Sequence, residues 1–328
     1  MRVRLPLLGG VLGLALPLLA AGSAWAGRLT LYTSQPNRIA SQTVAAFEKA
    51  DPGVRVTVFR SGTTQVMNKL GAEVMAGAPK ADVLLIADAM SMQALKQKGL
   101  LLPDPTQDVS AFPAGTYDPG RTYFGTKLIT TGIIYNRKAP FVPRSWEDLL
   151  KRAAHGQVVL PSPLYSGAAM ITMGAFTENP ALGPDYFKTL AANKAISVAG
   201  NGGVLNQVES GARAFGIVVD FMALNAKAKG APVGFVFPKE GVTAVTEPVA
   251  ILKSTKNPVD ARAFVAFLLS PAGQELAARQ GFIPARRGIA PPPGFPPAAA
   301  IRLMPMDIAR ILKDSVALKQ EFASLFGG

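Results

Sequence analysis

The sequence predicts an α/β protein built from two lobes that face each other across a cleft. Three observations predict this fold. Buried strands alternate with amphipathic helices, two longer β-rich stretches (residues 126–136 and 241–252) enclose a middle αβ unit, and small polar residues follow most predicted strands. Alternating strands and helices form a mostly parallel sheet. If both β-rich stretches cross between the lobes, they form a two-strand hinge.

The first 26 residues predict a secretory signal peptide. Arg2 and Arg4 form a positive start, residues 5–21 carry no charge, and Ala-Trp-Ala at 24–26 fits the cleavage rule for small residues. A membrane anchor is the alternative, but the apolar run is short and interrupted by glycine and proline. We therefore expect a periplasmic protein from which residues 1–26 are removed.

The composition excludes several classes of protein. The chain has no cysteine, which excludes disulfides, a lipid anchor on cysteine and thiolate metal sites. About 300 remaining residues are enough for two domains with their own cores. The formal net charge is +13, or +11 once the two signal-peptide arginines are subtracted. The basic residues are scattered, so we expect a solvated basic surface or weak steering of an anionic ligand, and no nucleic-acid partner.

The first predicted lobe comprises residues 27–130 and 245–328. Apolar residues at helical spacing, such as Val66, Leu70 and Val74, support its helices. The predicted elements at its start alternate: strand 29–32, helix 36–50, strand 54–59, helix 64–76, strand 82–87 and helix 89–98.

The second predicted lobe comprises residues 131–244. Ser145 is placed to cap a helix over 145–150, with Asp148 three residues later as in a capping box. Three further segments each give a strand, a polar or glycine loop and a helix: GQVVLPSPLYSGAAMITMGAF, AISVAGNGGVLNQVESG and FGIVVDFMALNAKAKG. The middle of the chain therefore repeats the alternation of the first part.

Several segments resemble a known family: LTLYTSQ, ADVLLIADA, LITTGIIYN, PSPLYSGAA and, most specifically, residues 247–286. They resemble the periplasmic solute-binding proteins of ABC importers. The resemblance is to the two-lobed type 2 branch that includes ferric-ion, thiamine, sugar-phosphate and aminoethylphosphonate binders. It implies a Venus-flytrap fold, with each lobe a mixed sheet flanked by helices, and closure on a small-molecule ligand. It also implies delivery to an inner-membrane ABC permease. We expect a monomer without a cofactor.

Polar residues at the predicted strand ends are the candidate ligand-binding residues. Ligands of open α/β sheets bind where strands end and helices begin, and helix N-termini bind oxyanions through free amide groups. In related binders, a Ser-Gly-Ala turn like residues 166–168 holds a phosphate or another anion. The alternative for each Ser or Thr is an ordinary helix cap. The candidates are Ser34, Gln35, Thr63, Thr64, Asp88, Ser162, Tyr165, Ser166, Gly167, Ala168, Asn201, Gly202, Asp220 and Glu247.

Three carboxylates among these candidates suggest a zwitterionic ligand. Asp88 and Asp220 each follow a buried strand, and Glu247 lies in the second β-rich stretch. One or two of them could hold an ammonium group, while hydroxyl and amide groups hold an anion. An organophosphonate such as 2-aminoethylphosphonate fits that pattern. The alternative is that each carboxylate caps a helix or pairs with a lysine.

Ferric iron is the rival ligand, because a hard cation prefers phenolate and carboxylate oxygens. The iron binders of the resembled family use two adjacent tyrosines after the strand equivalent to GIVV. Asp220-Phe221 stands there, and the sequence has no Tyr-Tyr pair. Iron binding would therefore depend on Asp220, Glu247, Tyr165 and an exogenous anion, so no metal site is predicted.

An enzyme is the alternative from another class. The chain has no G-x-S-x-G elbow, no P-loop and no H-E-x-x-H motif. Its single histidine, His155, lies in a predicted turn, whereas a secreted Ser-His-acid hydrolase needs a histidine beside its nucleophile. We therefore expect a binding protein and no catalytic residues.

Overall fold

Two mixed β-sheets, flanked by ten α-helices in the described part of the chain, form the two lobes of the protein. The structure is a computed structural model that describes residues 27–296 and 300–327. The predicted signal peptide, residues 1–26, lies outside the described residues. A search of the described ranges finds no helix with the length and apolar character that a membrane span requires.

The elements alternate along the chain as the sequence predicts. The strands are β1 (Gly27–Thr33), β2 (Val54–Arg60), β3 (Val83–Leu85), β4 (Phe124–Gly125), β5 (Lys127–Asn136), β6 (Val158–Pro161), β7 (Ile196–Val198), β8 (Phe215–Val219), β9 (Val233–Val236), β10 (Thr243–Val245), β11 (Pro248–Ile251) and β12 (Ile283–Pro284). The helices are α1 (Asn37–Ala50), α2 (Thr63–Met75), α3 (Ala89–Gln97), α4 (Gly167–Glu178), α5 (Tyr186–Ala192), α6 (Asn201–Glu209), α7 (Asp220–Ala228), α8 (Pro258–Leu269), α9 (Pro271–Arg279) and α10 (Ile308–Phe326).

The first sheet has the strand order β2-β1-β3-β11-β4. Strand β1 pairs in parallel with β2 and β3, and β11 pairs antiparallel with β3. Alternate residues of β1 and β3, such as Leu31 and Leu85, are fully buried against α8, where Phe264 joins the same core. The burial of successive β3 residues explains why its sequence is a continuous apolar run.

The second sheet has the order β10-β5-β8-β6-β7, with β9 and β12 also paired to β5. Its core is aromatic: Trp146 and Phe176 are fully buried with ring centroids 4.7 Å apart. The indole of Trp146 donates to the carbonyl of Gly241 at 2.8 Å, which satisfies its buried N–H. Ser145 forms the predicted capping box with Asp148, at the start of a 3₁₀ helix (Trp146–Leu150).

Two short segments connect the sheets. The chain passes from β4 to β5 at Thr126 and returns from β10 to β11 at Thr246 and Glu247. These segments are bonded to each other: the Thr126 amide donates to the Thr246 carbonyl at 3.0 Å, and the Thr126 hydroxyl donates to the Glu247 carbonyl at 2.8 Å. The two β-rich stretches therefore do cross between the sheets.

The C-terminal part of the chain is shared between the two lobes. Strand β5, which begins at Lys127, and strand β12 belong to the second sheet, so residues 127–130 lie there rather than in the first lobe. Helix α10 packs on α4 and α5 of the second lobe as well as on α3 of the first. Its apolar face, including Ile311 and Phe322, joins the core around Phe176. Assigning residues 245–328 to the first lobe alone therefore does not match the packing.

Candidate ligand site in the cleft

A cavity of about 340 Å³ lies between the sheets, at the carboxyl ends of their parallel strands. Both lobes contribute to its lining, as expected for a site at the switch points of open α/β sheets. The lining residues are Ser34, Pro36, Arg60, Gly62, Thr63, Ala87, Ile129, Tyr165, Ser166, Ala168, Ala199, Gly200, Asn201, Gly202, Gly203, Val219, Phe221, Met222 and Glu247.

The starts of helices dominate the lining. Residues at or beside the N-termini of α1, α2, α3, α4, α6 and α7 line the cavity. Among the described residues, no side chain caps α1, α2 or α6. The first amide groups of a helix have no partner within the helix, and the helix dipole adds positive potential at the same end. These helix starts can therefore bind an anion without the help of a lysine or arginine side chain.

Ser166 and Asn201 join three of these elements. Ser166 caps α4 by accepting from the Ala169 amide at 3.3 Å. The Asn201 side chain donates to the Ser166 hydroxyl oxygen at 3.3 Å and accepts from the Val219 amide at 3.1 Å. Because both donors point at the Ser166 oxygen, its O–H remains free to donate to a ligand.

Ser34 and Thr63 line the cavity from the first lobe. The Ser34 oxygen accepts from the Ala87 amide at 2.9 Å, and Thr63 is the first residue of α2. The neighbouring Thr64 lies outside the lining, but its amide donates to the Tyr165 carbonyl of the other lobe at 3.4 Å. The predicted hydroxyl-bearing residues therefore lie on both walls of one cavity.

A buried charged cluster lies at the hinge end of the cavity. Glu247 Oε2 lies 2.5 Å from Lys127 Nζ and accepts from Gln35 Nε2 at 3.0 Å. All three side chains are buried. Both of these contacts involve Glu247 Oε2, and Gln35 Oε1 is buried without a partner among the described residues. Glu247 lines the cavity whereas Gln35 does not, so Glu247 is the acceptor that a ligand can reach.

Asp220, predicted as a candidate for an ammonium group, does not line the cavity. Its carboxylate is buried and accepts from the Thr130 amide at 2.9 Å, the Thr130 hydroxyl at 2.6 Å and the Phe221 amide at 2.6 Å. Burial raises the pKa of Asp220 from 3.8 to about 7, although these hydrogen bonds act in the opposite direction. Asp220 fastens α7 to β5, which is a structural role.

Asp88 also lies outside the lining. It caps α3 by accepting from the Ser91 amide at 2.5 Å, and burial raises the pKa of its carboxyl group. Its carboxylate packs against Gly167 of the other lobe, where a Cβ atom would lie 2.3 Å from Asp88 Oδ2. Gly167 is therefore needed for the close approach of the lobes, and it too is absent from the lining.

Ser162 and Gln35 complete the predicted residues that do not line the cavity. The Ser162 hydroxyl accepts from the Leu164 amide at 3.2 Å and so shapes the loop that carries Tyr165. Gln35 lies behind Glu247. Of the predicted residues, the structure brings eight into the lining: Ser34, Thr63, Tyr165, Ser166, Ala168, Asn201, Gly202 and Glu247.

Arg60 lines the cavity although the sequence analysis did not select it. It is the last residue of β2, and its Nε donates to the Gln35 carbonyl at 2.7 Å while Nη1 donates to the Tyr165 hydroxyl at 3.4 Å. The sequence could have indicated Arg60 as a candidate, because it lies at the end of a predicted strand, as the other candidates do. Since the Glu247 charge is neutralised by Lys127, Arg60 and the helix ends leave the cavity suited to an anion.

A two-lobed α/β fold with a cavity between its sheets is typical of solute-binding proteins. The chain belongs to the bacterial extracellular solute-binding protein family, whose model matches residues 33–275. The chain is 31% identical over 288 residues to an uncharacterised protein of Haemophilus influenzae, covering 82% of this chain and 80% of that protein. It is 28% identical over 238 residues to the molybdate-binding protein ModA of Mycobacterium tuberculosis, covering 72% and 76%.

Solved structures of binding proteins have the same fold. The periplasmic binding protein AfuA of Actinobacillus pleuropneumoniae, solved with fructose-6-phosphate, has a TM-score of 0.83 and 23% identity over 92% of this chain and 98% of that one. Iron-bound HitA of Pseudomonas aeruginosa has a TM-score of 0.78 and 24% identity over 90% and 99%. These similarities establish a two-lobed periplasmic binding-protein fold, of the type 2 branch that the sequence resembles.

Proposed function

We propose that this chain is the periplasmic component of an ABC importer that captures a small phosphonate- or phosphate-bearing solute and delivers it to an inner-membrane permease. The best candidate ligand is an aminated organophosphonate such as 2-aminoethylphosphonate. The convergence of six helix N-termini on one cavity carries this proposal. Family membership supports the transport role.

The helix N-termini favour an oxyanion over a cation. Amides at the starts of α2 and α6, apart from the Thr64 amide that is bonded to Tyr165, provide together with the Ser166 hydroxyl several donors for the oxygens of a phosphonate. The cavity volume of about 340 Å³ is at the low end for ligand pockets, which favours a small solute. ModA is named for molybdate, and AfuA was solved with fructose-6-phosphate bound; both of these ligands carry oxyanion groups, which agrees with the preference.

The hinge end favours a donor group on the ligand. Glu247 lines the cavity, and its hydrogen bond with Gln35 and its ion pair with Lys127 both involve Oε2. Its other carboxylate oxygen, Oε1, can accept from a ligand ammonium group, and such a charge-assisted hydrogen bond favours an aminated ligand. Asp220 does not contribute to this end, because its oxygens are bonded to Thr130 and Phe221.

Ferric iron fits the lining less well. Tyr165 is the one phenol and Glu247 the one carboxylate among the lining residues. In the described ranges, no group of three or more His, Cys, Asp or Glu side chains is arranged to hold a metal. Iron would therefore lack the set of hard oxygen ligands that it requires.

Thermal unfolding of residues 27–328 with a ligand panel tests the proposal. The panel contains 2-aminoethylphosphonate, inorganic phosphate, fructose 6-phosphate, molybdate and ferric citrate. A ligand at about 100 times its dissociation constant adds roughly 2.7 kcal/mol to the free energy of unfolding. We expect 2-aminoethylphosphonate to give the largest shift. Stabilisation by ferric citrate alone, with a visible charge-transfer band, would overturn the proposal in favour of iron transport.

A further inference from the structure

The ring of Tyr165 lies between the two lobes and contacts a glycine on each side. An ideal Cβ at Gly62, in the first lobe, would lie 2.6 Å from Tyr165 Cζ. An ideal Cβ at Gly200, in the second lobe, would lie 3.1 Å from Tyr165 Cδ1. Gly62 has φ −63° and ψ 156°, a conformation that any residue adopts, so glycine is needed there for space rather than for backbone freedom.

Polar contacts hold Tyr165 to the first lobe as well. Its carbonyl accepts from the Thr64 amide at 3.4 Å, and its hydroxyl accepts from Arg60 Nη1 at 3.4 Å. Tyr165 itself follows β6 of the second lobe, and its ring is part of the cavity lining. One side chain therefore forms a wall of the ligand cavity and also a contact surface between the lobes.

We propose that Tyr165 limits the size of the ligand and couples ligand binding to closure of the lobes. The ring occupies space between the lobes that a longer ligand would need, so only a small solute lets Gly62 close onto the ring. This inference rests on the proposed function, because it assumes that the cavity lined by Tyr165 is the ligand site.

The variant Gly62→Ala, which adds a single methyl group, tests the closure of the lobes without disturbing their folding. In Gly62→Ala, the new Cβ overlaps the Tyr165 ring of the other lobe, and it also lies 2.7 Å from Gln65 Oε1, the far end of a flexible side chain of the first lobe that can move away. The overlap with the ring arises only when the lobes meet, so we expect each lobe to fold normally. Gly71→Ala is the matched control, because Gly71 lies within helix α2, whose N-cap residue is Gly62, and a Cβ at Gly71 has no heavy atom within 4 Å. Affinity for 2-aminoethylphosphonate is measured by calorimetry, and the radius of gyration by small-angle scattering.

We expect Gly62→Ala to bind about tenfold to a hundredfold more weakly than wild type and to remain expanded in saturating ligand, since overpacking opposes closure. Gly71→Ala should bind and contract like wild type. A second variant, Tyr165→Ala, tests the size limit: it should shift the affinity ratio of fructose 6-phosphate to 2-aminoethylphosphonate by about tenfold towards the larger ligand.

The outcomes distinguish this inference from the proposed function. If wild type binds none of the phosphonates or phosphates, the proposed function is wrong, and the role inferred for Tyr165 is wrong as well. If wild type binds 2-aminoethylphosphonate but Gly62→Ala binds and contracts equally well, the inference alone is overturned. An unchanged ligand ratio in Tyr165→Ala likewise overturns the size limit and leaves the proposed function intact.

Discussion

The two ends of the cavity use opposite kinds of electrostatics. At the hinge end, Lys127, Glu247 and Gln35 form a buried cluster in which charged side chains neutralise each other. At the other end, Ser166, Asn201 and the starts of α2, α4 and α6 supply uncharged hydroxyl and amide groups, and Arg60 is the one charged side chain of the lining besides Glu247. The cavity combines a balanced ion pair with a set of mostly uncharged donors.

This contrast in electrostatics indicates that the hinge end of the cavity mainly affects stability, whereas the helix end mainly selects the ligand. A buried ion pair contributes little net stability, but loss of one partner leaves an uncompensated charge. Helix N-termini exist before the ligand arrives, so they bind an anion without reorganising. We therefore expect changes at the hinge end to affect folding most, and changes at the helix end to affect affinity.

The largest expected effect is on folding, at the hinge end. Lys127→Met leaves Glu247 buried without its cation, so we expect the free energy of unfolding to fall by about 3–5 kcal/mol. Urea denaturation measures this loss. The control is the double variant Lys127→Met/Glu247→Gln, which should recover most of it because the stranded charge is gone. A single variant as stable as wild type would show that the pair does not form.

A second expected effect is on the pH dependence of stability and concerns Asp220. Its folded pKa of about 7 is raised above 3.8 by burial. The folded protein therefore keeps a proton that the unfolded chain has lost, and stability falls as pH rises from about 4 to about 7. The loss at this group is on the order of 4 kcal/mol.

Comparison with Asp220→Asn isolates that contribution from other titrating groups. The side-chain amide that this substitution introduces resembles the protonated carboxyl group, so the two proteins should have similar stability near pH 4. Above pH 7 the variant should be the more stable of the two. A constant difference between their unfolding free energies across this range would contradict the raised pKa.

Glu247 and Asp220, which are both buried, should differ in their effect on ligand preference. Glu247→Gln should reduce the preference for 2-aminoethylphosphonate over ethylphosphonate by about 1.5–3 kcal/mol, the usual loss when a charged hydrogen bond goes. Asp220→Asn should leave this preference unchanged, because Asp220 lies outside the lining. Calorimetric titration with both ligands gives the difference, and an equal loss in both variants would contradict the assignment.

The smallest expected effect is at the helix end. Ser166→Ala should weaken binding of 2-aminoethylphosphonate by about 1–2 kcal/mol, because the ligand loses one donor among several. Ser270→Ala is the matched control: Ser270 caps α9 by accepting from the Gly273 amide at 3.1 Å, away from the cavity lining. Both variants should lose similar stability, about 1 kcal/mol. If Ser270→Ala weakened binding as much, the effect would be one of capping alone.

The alternation of strands and helices and the two crossings were predictable from the sequence. Periodicity gave the first helix as 36–50, close to the observed Asn37–Ala50, and the β-rich stretch 126–136 became β5. The lobe that α10 joins was not predictable. Its apolar spacing identifies a buried face, but the complementary surface on α4 and α5 exists only after the chain has folded.

The sequence predicted which residues follow the strands at the edge of the cleft, but it did not predict the direction in which each side chain points. Residues after parallel strands share one edge of the sheet, and this placed Ser34, Thr63 and Ser166 correctly in one cavity. Asp220 stands at the same edge, yet its carboxylate points back to Thr130, because nearby backbone donors compete with the cleft for it. Local sequence does not determine that competition.

A crystal structure of residues 27–328 bound to 2-aminoethylphosphonate tests the central claim most directly. We expect the phosphonate oxygens to lie within about 3.2 Å of Ser166 Oγ and of the first amides of α4 and α6, with the ammonium group beside Glu247. A phosphonate held outside this cavity by exposed basic side chains, with the helix N-termini facing only water, would contradict the account.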